Sequence, residues 1–327
     1  MLAEFELIAR CFDRSTGRAL GVDVGIGDDG AVVSLTAGNS LVVVTDTIVA
    51  GVHFPAYTPA HAVGYRALAV NLSDIAAMGA TPRWASLALA LPDAEAEWVA
   101  DFAAGFFMLA DAYNVELIGG DTVSGPLVAT VTVHGEVTAG MAALRSTASE
   151  GDAIYVTGNL GDAVAGRLSE GDTDAERYLA ERFLYPTPRV HEGLSLRGIA
   201  SAMIDISDGL HADLDHLLLA SGLGAELRLD ALPLSPQLLD TVGRDQAIEM
   251  ALLGGDDYEL CFTVPAGQNE IFQALVSSWE CPVAHIGITV ASEGQRWHDG
   301  AQQLYVVPDS GFDHFMAAVD ELPEDAG

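Results

Sequence analysis

No lysine occurs anywhere in this sequence: each of its 14 basic side chains is an arginine, set against 47 aspartates and glutamates, for a formal net charge of -33. Without lysine there is no Schiff-base chemistry, no Walker-type phosphate lysine and no protein-kinase lysine. Any handling of phosphate falls to metal ions, arginine and backbone N–H groups. A charge this negative repels nucleic acid and anionic membrane surfaces, and no local basic patch offsets it, so neither is an expected partner. Cysteine is scarce too: Cys11, Cys261 and Cys281 are odd in number and form no CxxC pair, which argues against a disulfide framework or a zinc knuckle and for reduced, mostly buried thiols. No apolar run approaches the roughly 18 residues that span a bilayer. The segment Met1–Arg10 carries acid where a signal peptide carries basic residues, so a cytoplasmic location is expected. Low lysine with a dense carboxylate surface also suits life at high salt.

What is present points to a globular protein. Half of the 327 residues are hydrophobic and 34 are glycine, a composition that fits an α/β chain, and the length favours two domains. After the strand that ends at Val137, Glu150-Gly151-Asp152 opens a new unit, which sets the boundary near residues 138–150 and the domains at 1–140 and 150–327.

The informative stretch is Asn71-Leu-Ser-Asp74-Ile-Ala-Ala-Met-Gly79, within a helical pattern from His61 to Met78 that places Asn71 and Asp74 on one face and ends at Gly79. Asp74 is a carboxylate among residues that read as interior, and a buried carboxylate needs a partner. In a chain this poor in cations a metal is the readiest one. Other acids stand at bends or at expected strand ends: Asp28 and Asp29 on a glycine bend before a strand Ala31–Leu35, Asp46 where a strand Leu41–Thr47 stops, and Asp121 after Glu116–Gly120. In the second half, a strand Ala202–Ile206 carries Asp205, and Ser207 or Asp208 is the expected N-cap of a helix to Ser221. Further elements are a strand Ser86–Leu91, a helix Asp93–Tyr113, a strand Leu127–Val137, a strand Ala153–Thr157 before the turn Gly158–Gly161, and an exposed charged stretch Leu168–Glu181. His53 alone reads as a structural histidine. Clustered aspartates without histidine or cysteine select hard cations, and magnesium takes a few carboxylates plus water and phosphate oxygens. A phosphotransferase, a two-metal phosphatase and a non-catalytic cation binder all fit that chemistry.

Taken together and in order, Gly25-Ile-Gly-Asp-Asp29, Thr45-Asp46-Thr47, Asn71–Gly79, Gly119-Gly-Asp-Thr122, Ile204-Asp-Ile-Ser-Asp-Gly209 and Gly254-Gly-Asp-Asp-Tyr-Glu-Leu260 resemble the thiamine-monophosphate kinase family. The resemblance spans almost the whole chain. It implies a two-domain fold of the aminoimidazole ribonucleotide synthetase type, α/β in the α+β sense, with an N-terminal sheet packing in a homodimer. It implies ATP-dependent phosphorylation of thiamine monophosphate to thiamine diphosphate with several Mg²⁺ ions, the last step in making that cofactor. Carried over by motif, Asp28, Thr45, Asp46, Asp74, Asp121, Asp205 and Asp208 would hold magnesium. Gly120, Asp121, Arg145 and Ser207 would meet ATP, and His53, Asp256 and Phe312 would meet thiamine monophosphate. The family commonly has Gly-Gly-Glu-Asp where this chain has Gly254-Gly-Asp256-Asp257, so the side chain at 256 is one methylene shorter. Among the related synthetases, the selenide-activating branch pairs a reactive cysteine with a lysine, and Cys11 has no lysine near it. No covalent nucleophile or general base is expected.

Overall fold

A computed structural model describes residues 4–14, 21–93, 95–169 and 171–308. The first half runs α1 (Glu4–Cys11), β1 (Val22–Val24), β2 (Val32–Val33), β3 (Asn39–Val49), α2 (Ala60–Ala77), β4 (Thr81–Leu91), α3 (Ala96–Tyr113), β5 (Glu116–Ser124) and β6 (Val128–Thr138). The second half begins with β7 (Ala153–Thr157), α4 (Asp162–Leu168), α5 (Asp174–Leu184), α6 (Val190–Ser195), β8 (Ala202–Ile206), α7 (Leu210–Ser221) and β9 (Gly224–Arg228). It continues through α8 (Pro236–Val242), α9 (Arg244–Leu253), β10 (Glu259–Val264), α10 (Asn269–Val276), β11 (Val283–Val290), β12 (Gly294–His298) and β13 (Leu304–Tyr305).

Two sheets organise these elements. The first is four-stranded, in the order β3-β6-β4-β5, and the second is seven-stranded, in the order β13-β12-β9-β11-β7-β10-β8. Alternation along β3 and β6 turns Val42, Ile48, Ala129, Val131 and Val133 inward, where they pack against Leu68, Leu72 and Ile75 of α2 and Phe102 and Phe106 of α3. Alternate residues on the same strands form the other face: Leu41, Val43, Thr45 and Thr47 are exposed. On that face, hydroxyl pairs Thr45–Thr132 at 2.9 Å and Thr47–Thr130 at 2.8 Å bridge the strands. In the second sheet Ile204, Ile206 and Cys261 pack beneath Leu214 and Leu217 of α7 and Leu252 of α9.

Helix α2 joins the halves. It crosses α3 so closely that a Cβ on Gly64 would lie 1.9 Å from the carbonyl oxygen of Phe102, and one on Gly105 would lie 1.8 Å from that of His61. Only hydrogen fits at either position. On its other sides α2 touches β3 and β6, and also α5, α6, β8 and β10 of the second half. A polar residue on that second flank is therefore carried into the seam between the two sheets.

Several expected boundaries move. Strand β3 continues to Val49, paired with β6 as far as Val128, and β5 continues to Ser124, paired with Leu91 of β4. Asp46 and Asp121 thus lie within strands and not at their ends, because threonine and valine beyond them extend the pairing. The expected strand at Ala31–Leu35 shrinks to β2, and α3 starts at Ala96, not at Asp93. The charged stretch Leu168–Glu181 is not wholly exposed: a capping box between Thr173 and Glu176 starts α5, which buries Leu179 and Phe183. Helix α7 is capped by Gly209 without a side-chain bond, so neither Ser207 nor Asp208 is its N-cap.

Candidate active site at the seam between the sheets

Asn71, fully buried on α2, fixes the first half of the site. Its Oδ1 accepts the Asp46 N–H at 3.0 Å and its Nδ2 donates to the Ala67 carbonyl at 3.1 Å, which locks β3 against the helix. The bond turns Asp46 toward Asp74, one turn of helix from Asn71, and the two carboxyls share a hydrogen bond. From the second sheet, β8 delivers the buried Asp205, whose Oδ2 accepts the Ser73 hydroxyl at 2.7 Å. Burial, then the charges of Asp205 and Asp46, push Asp74 up to about 8, against the opposing pull of Arg145. Burial likewise raises Asp205 to about 6 even though the Ser73 bond and Arg145 favour its charged form. Carboxyls this crowded form a hard-oxygen donor set that a cation would relieve.

The loop after β8 adds Ser207 and Asp208. Their backbone N–H groups both donate to Asp213 Oδ2, at 2.9 and 3.0 Å, so a buried carboxylate of α7 holds the loop from beneath. Opposite lies Gly254–Tyr258. Asp256 and Tyr258 adopt left-handed backbone, with φ of 71° and 52°, at a cost of about 1–2 kcal/mol each. The guanidinium of Arg66, fully buried on α2, meets Asp256 Oδ1 at 2.7 Å, and the Tyr258 hydroxyl donates to the same oxygen at 3.1 Å. Arg66 also donates to the Phe183 carbonyl and stacks on the Phe183 ring, 4.2 Å from its centroid. His53 accepts the Val49 N–H on Nδ1 at 3.1 Å, which leaves Nε2 to carry the proton.

These groups line a cavity of about 510 Å³ that includes Thr45, Asp46, Asp74, Asp205, Ser207, Asp208, Asp256 and His53. Asp28, Gly120 and Asp121 do not join it. They line a second cavity of about 480 Å³ with Ile8, Phe12 and Leu117, on the β5 side of the first sheet. The acids expected to converge on Asp74 therefore divide into two groups, because β3 and β5 are opposite edges of that sheet. Arg145 is exposed and acts on Asp74 and Asp205 through its charge. Phe312 lies outside the described residues. Among the described residues, no three carboxylate, imidazole or thiol groups form a ligand set that would hold a metal unaided. Sequence reasoning passed over Arg66, Ser73, Tyr258 and Asp213. Arg66 did carry a signal, as the one arginine on an alanine-rich helix.

Comparison with known proteins agrees with this architecture. Residues 27–137 match the family model described as AIR synthase related protein, N-terminal domain, and residues 149–299 match that of the C-terminal domain. The thiamine-monophosphate kinase of Salmonella typhimurium is 46% identical over 321 residues, covering 95% of this chain and 98% of that protein. The crystal structure of thiamine-monophosphate kinase from Stenotrophomonas maltophilia superposes with a TM-score of 0.84 at 45% identity, covering 90% of this chain and 96% of that one. AaThiL, solved in complex with AMPPCP and TMP, superposes with a TM-score of 0.75 at 33% identity, covering 96% and 97% of the two chains. The chain belongs to the thiamine-monophosphate kinase family of AIR synthase-related proteins.

Proposed function

We propose that this protein phosphorylates thiamine monophosphate to thiamine diphosphate at the expense of ATP, the last step in forming that cofactor. The observation that carries the reading is the meeting of Asp46, Asp74, Asp205 and Asp208 around one cavity, in a chain whose relatives are named for this reaction. Asp46, Asp74, Asp205 and Asp208, with Thr45, would hold magnesium, and the incomplete ligand set suits an ion that keeps water and phosphate oxygens in its shell. When bound, magnesium would neutralise charge spread over the transferred phosphoryl group. Asn71 anchors the Asp46 backbone and Ser73 bonds the Asp205 carboxylate at the cavity.

Ser207 and Arg145 are assigned to ATP, together with Gly120 and Asp121 of the second cavity, where Asp28 is a further metal ligand. His53 and Asp256, which line the same cavity, are assigned to the acceptor's phosphate, and Phe312 to the thiazolium ring. The acceptor needs no general base, since a phosphate monoester with second pKa about 6 is largely a dianion at neutral pH. Transfer is direct and in line, without a phosphoenzyme. The β5 and β3 edges lie three strand spacings apart, about 14 Å. The exposed Leu41 and Val43 on the open face of the first sheet are where a second copy would seat in a homodimer.

Incubation with ATP, Mg²⁺ and thiamine monophosphate should yield thiamine diphosphate by chromatography. Omitting magnesium, or replacing the acceptor by free thiamine, should abolish it. Release of inorganic phosphate without diphosphate would sink the reading in favour of a phosphatase. Stable labelling of the protein by γ-labelled ATP alone would rule out direct transfer.

A further inference from the structure

The wall of the seam cavity carries five carboxylates, from Asp46, Asp74, Asp205, Asp208 and Asp256, and among its described lining residues one arginine, Arg167. We propose that Arg167 is an anion-binding residue of this site, engaging a phosphate oxygen of one of the two substrates. The inference rests on the kinase reading above.

Arg167 sits in the last turn of α4. Its neighbour three residues earlier, Val164, lines the same cavity, so the two share the helix face turned to the site. That face is rigidly placed. A Cβ on Gly166 would fall 1.9 Å from the Leu179 carbonyl oxygen, so α4 lies directly on α5, and one on Gly254 would meet Val164 Cγ1 at 2.5 Å. The arginine therefore projects from a helix clamped between α5 and the Gly254–Asp256 loop.

Arg167 is exposed and, among the described residues, forms no hydrogen bond or ion pair. An arginine near a helix C-terminus is also what the helix dipole favours on a plain surface. The dipole accounts for its place on α4 but not for its place on the wall of an acidic cavity. The other nearby arginines are committed or stand back: Arg66 is held by Asp256 and the Phe183 carbonyl, and Arg145 does not line the cavity. In a chain without lysine, a phosphate-bearing substrate entering among five carboxylates would gain from a guanidinium on the cavity wall in addition to the magnesium those carboxylates would hold. A guanidinium offers a planar fork that matches phosphate oxygens.

Arg167→Ala and Arg167→Lys would be measured for kcat, for KM of ATP and of thiamine monophosphate, for melting temperature, and by calorimetry with AMPPCP and with thiamine monophosphate in the presence of Mg²⁺. Removing the guanidinium should lower kcat/KM by about 10–100-fold, the worth of one charge-assisted hydrogen bond, with the melting temperature unchanged. Lysine should recover part of the loss. A calorimetric loss confined to AMPPCP assigns the contact to ATP, and one confined to thiamine monophosphate assigns it to the acceptor. Kinetic constants and affinities within twofold of wild type would overturn the inference. A wild-type protein that makes no thiamine diphosphate would sink the kinase reading alone, and the calorimetric arm would still decide whether a phosphate ligand feels Arg167.

Discussion

Glu259→Gln tests what a fully buried charge in the second half contributes. Glu259 opens β10 and is wholly enclosed. Its Oε2 accepts the Thr157 hydroxyl at 2.7 Å and Arg189 Nε at 2.5 Å, and its Oε1 accepts Arg182 Nη2 at 2.8 Å and Arg189 Nη2 at 2.6 Å. Glutamine keeps the volume but turns one of those oxygens into an NH₂ group; it lies best with that group toward Thr157, whose hydroxyl can turn to accept, so the bond from Arg189 Nε becomes donor facing donor. That bond to a charged group is worth about 1.5–3 kcal/mol, and with Arg182 and Arg189 left without their counter-charge the loss approaches the roughly 3–5 kcal/mol typical of breaking a buried ion pair. That is a large share of the 5–15 kcal/mol that holds a typical protein folded. Urea unfolding followed by tryptophan fluorescence would read it as a lower midpoint at unchanged slope. A loss below about 1 kcal/mol, or one that vanishes in 1 M KCl as a solvent-screened pair would, would show that the cluster is not the buried network described.

Asp74→Asn, nearly isosteric and one charge short, should lower magnesium-dependent turnover by orders of magnitude while circular dichroism stays native; normal turnover would remove Asp74 from the metal set. Glu136 predicts the acid limb of stability. Burial disfavours its charge, but the Thr36 N–H at 2.6 Å, the Thr36 hydroxyl at 2.9 Å, Arg83 at 3.2 Å and Asn39 at 3.4 Å prevail and hold it below the usual glutamate range. With the folded pKa below the unfolded one, its stabilisation is present above about pH 4.3 and lost as pH falls through the folded value. Glu136→Gln should therefore be less stable than wild type at pH 7 and converge with it in acid, and parallel pH–stability curves would contradict this. Finally, at a net charge of -33, self-repulsion should make the melting temperature rise with KCl toward molar levels, and indifference to salt would count against a high-salt adaptation.

The seam site was half legible in the sequence. Asp46, Asp74 and Asp205 stood out because each is an acid in an apolar run, and such a residue must find a partner wherever the chain folds. The spacing of Asn71 and Asp74 put both on one helix face, and the structure uses that face to hold β3. Motif order could not show that Asp28 and Asp121 open on a different cavity, because strand order in a sheet is set by long-range pairing and leaves no local mark. Nor could it show that β3 and β5 run on past their aspartates. A Thr-Asp-Thr run is compatible with ending a strand, and continuation here depends on partners about 80 residues away across β6.

The least legible residues were those that hold the catalytic candidates in place. Arg66 reaches Asp256 across 190 residues of sequence, and Asp213 supports its loop from a helix whose pattern is otherwise that of an apolar packing face. These contacts change how the shortened side chain at 256 is understood. An aspartate could have failed to reach a ligand that a glutamate touches. Yet its left-handed backbone, the Arg66 guanidinium and the Tyr258 hydroxyl fix its carboxylate on the cavity wall, with one oxygen bound and the other available. Position 256 thus combines a strained turn with a buried cation, an arginine of the helix that also carries Asp74. A change at Arg66 would consequently be felt at Asp256 first, with Asp46, Asp74 and Asp205 left in place.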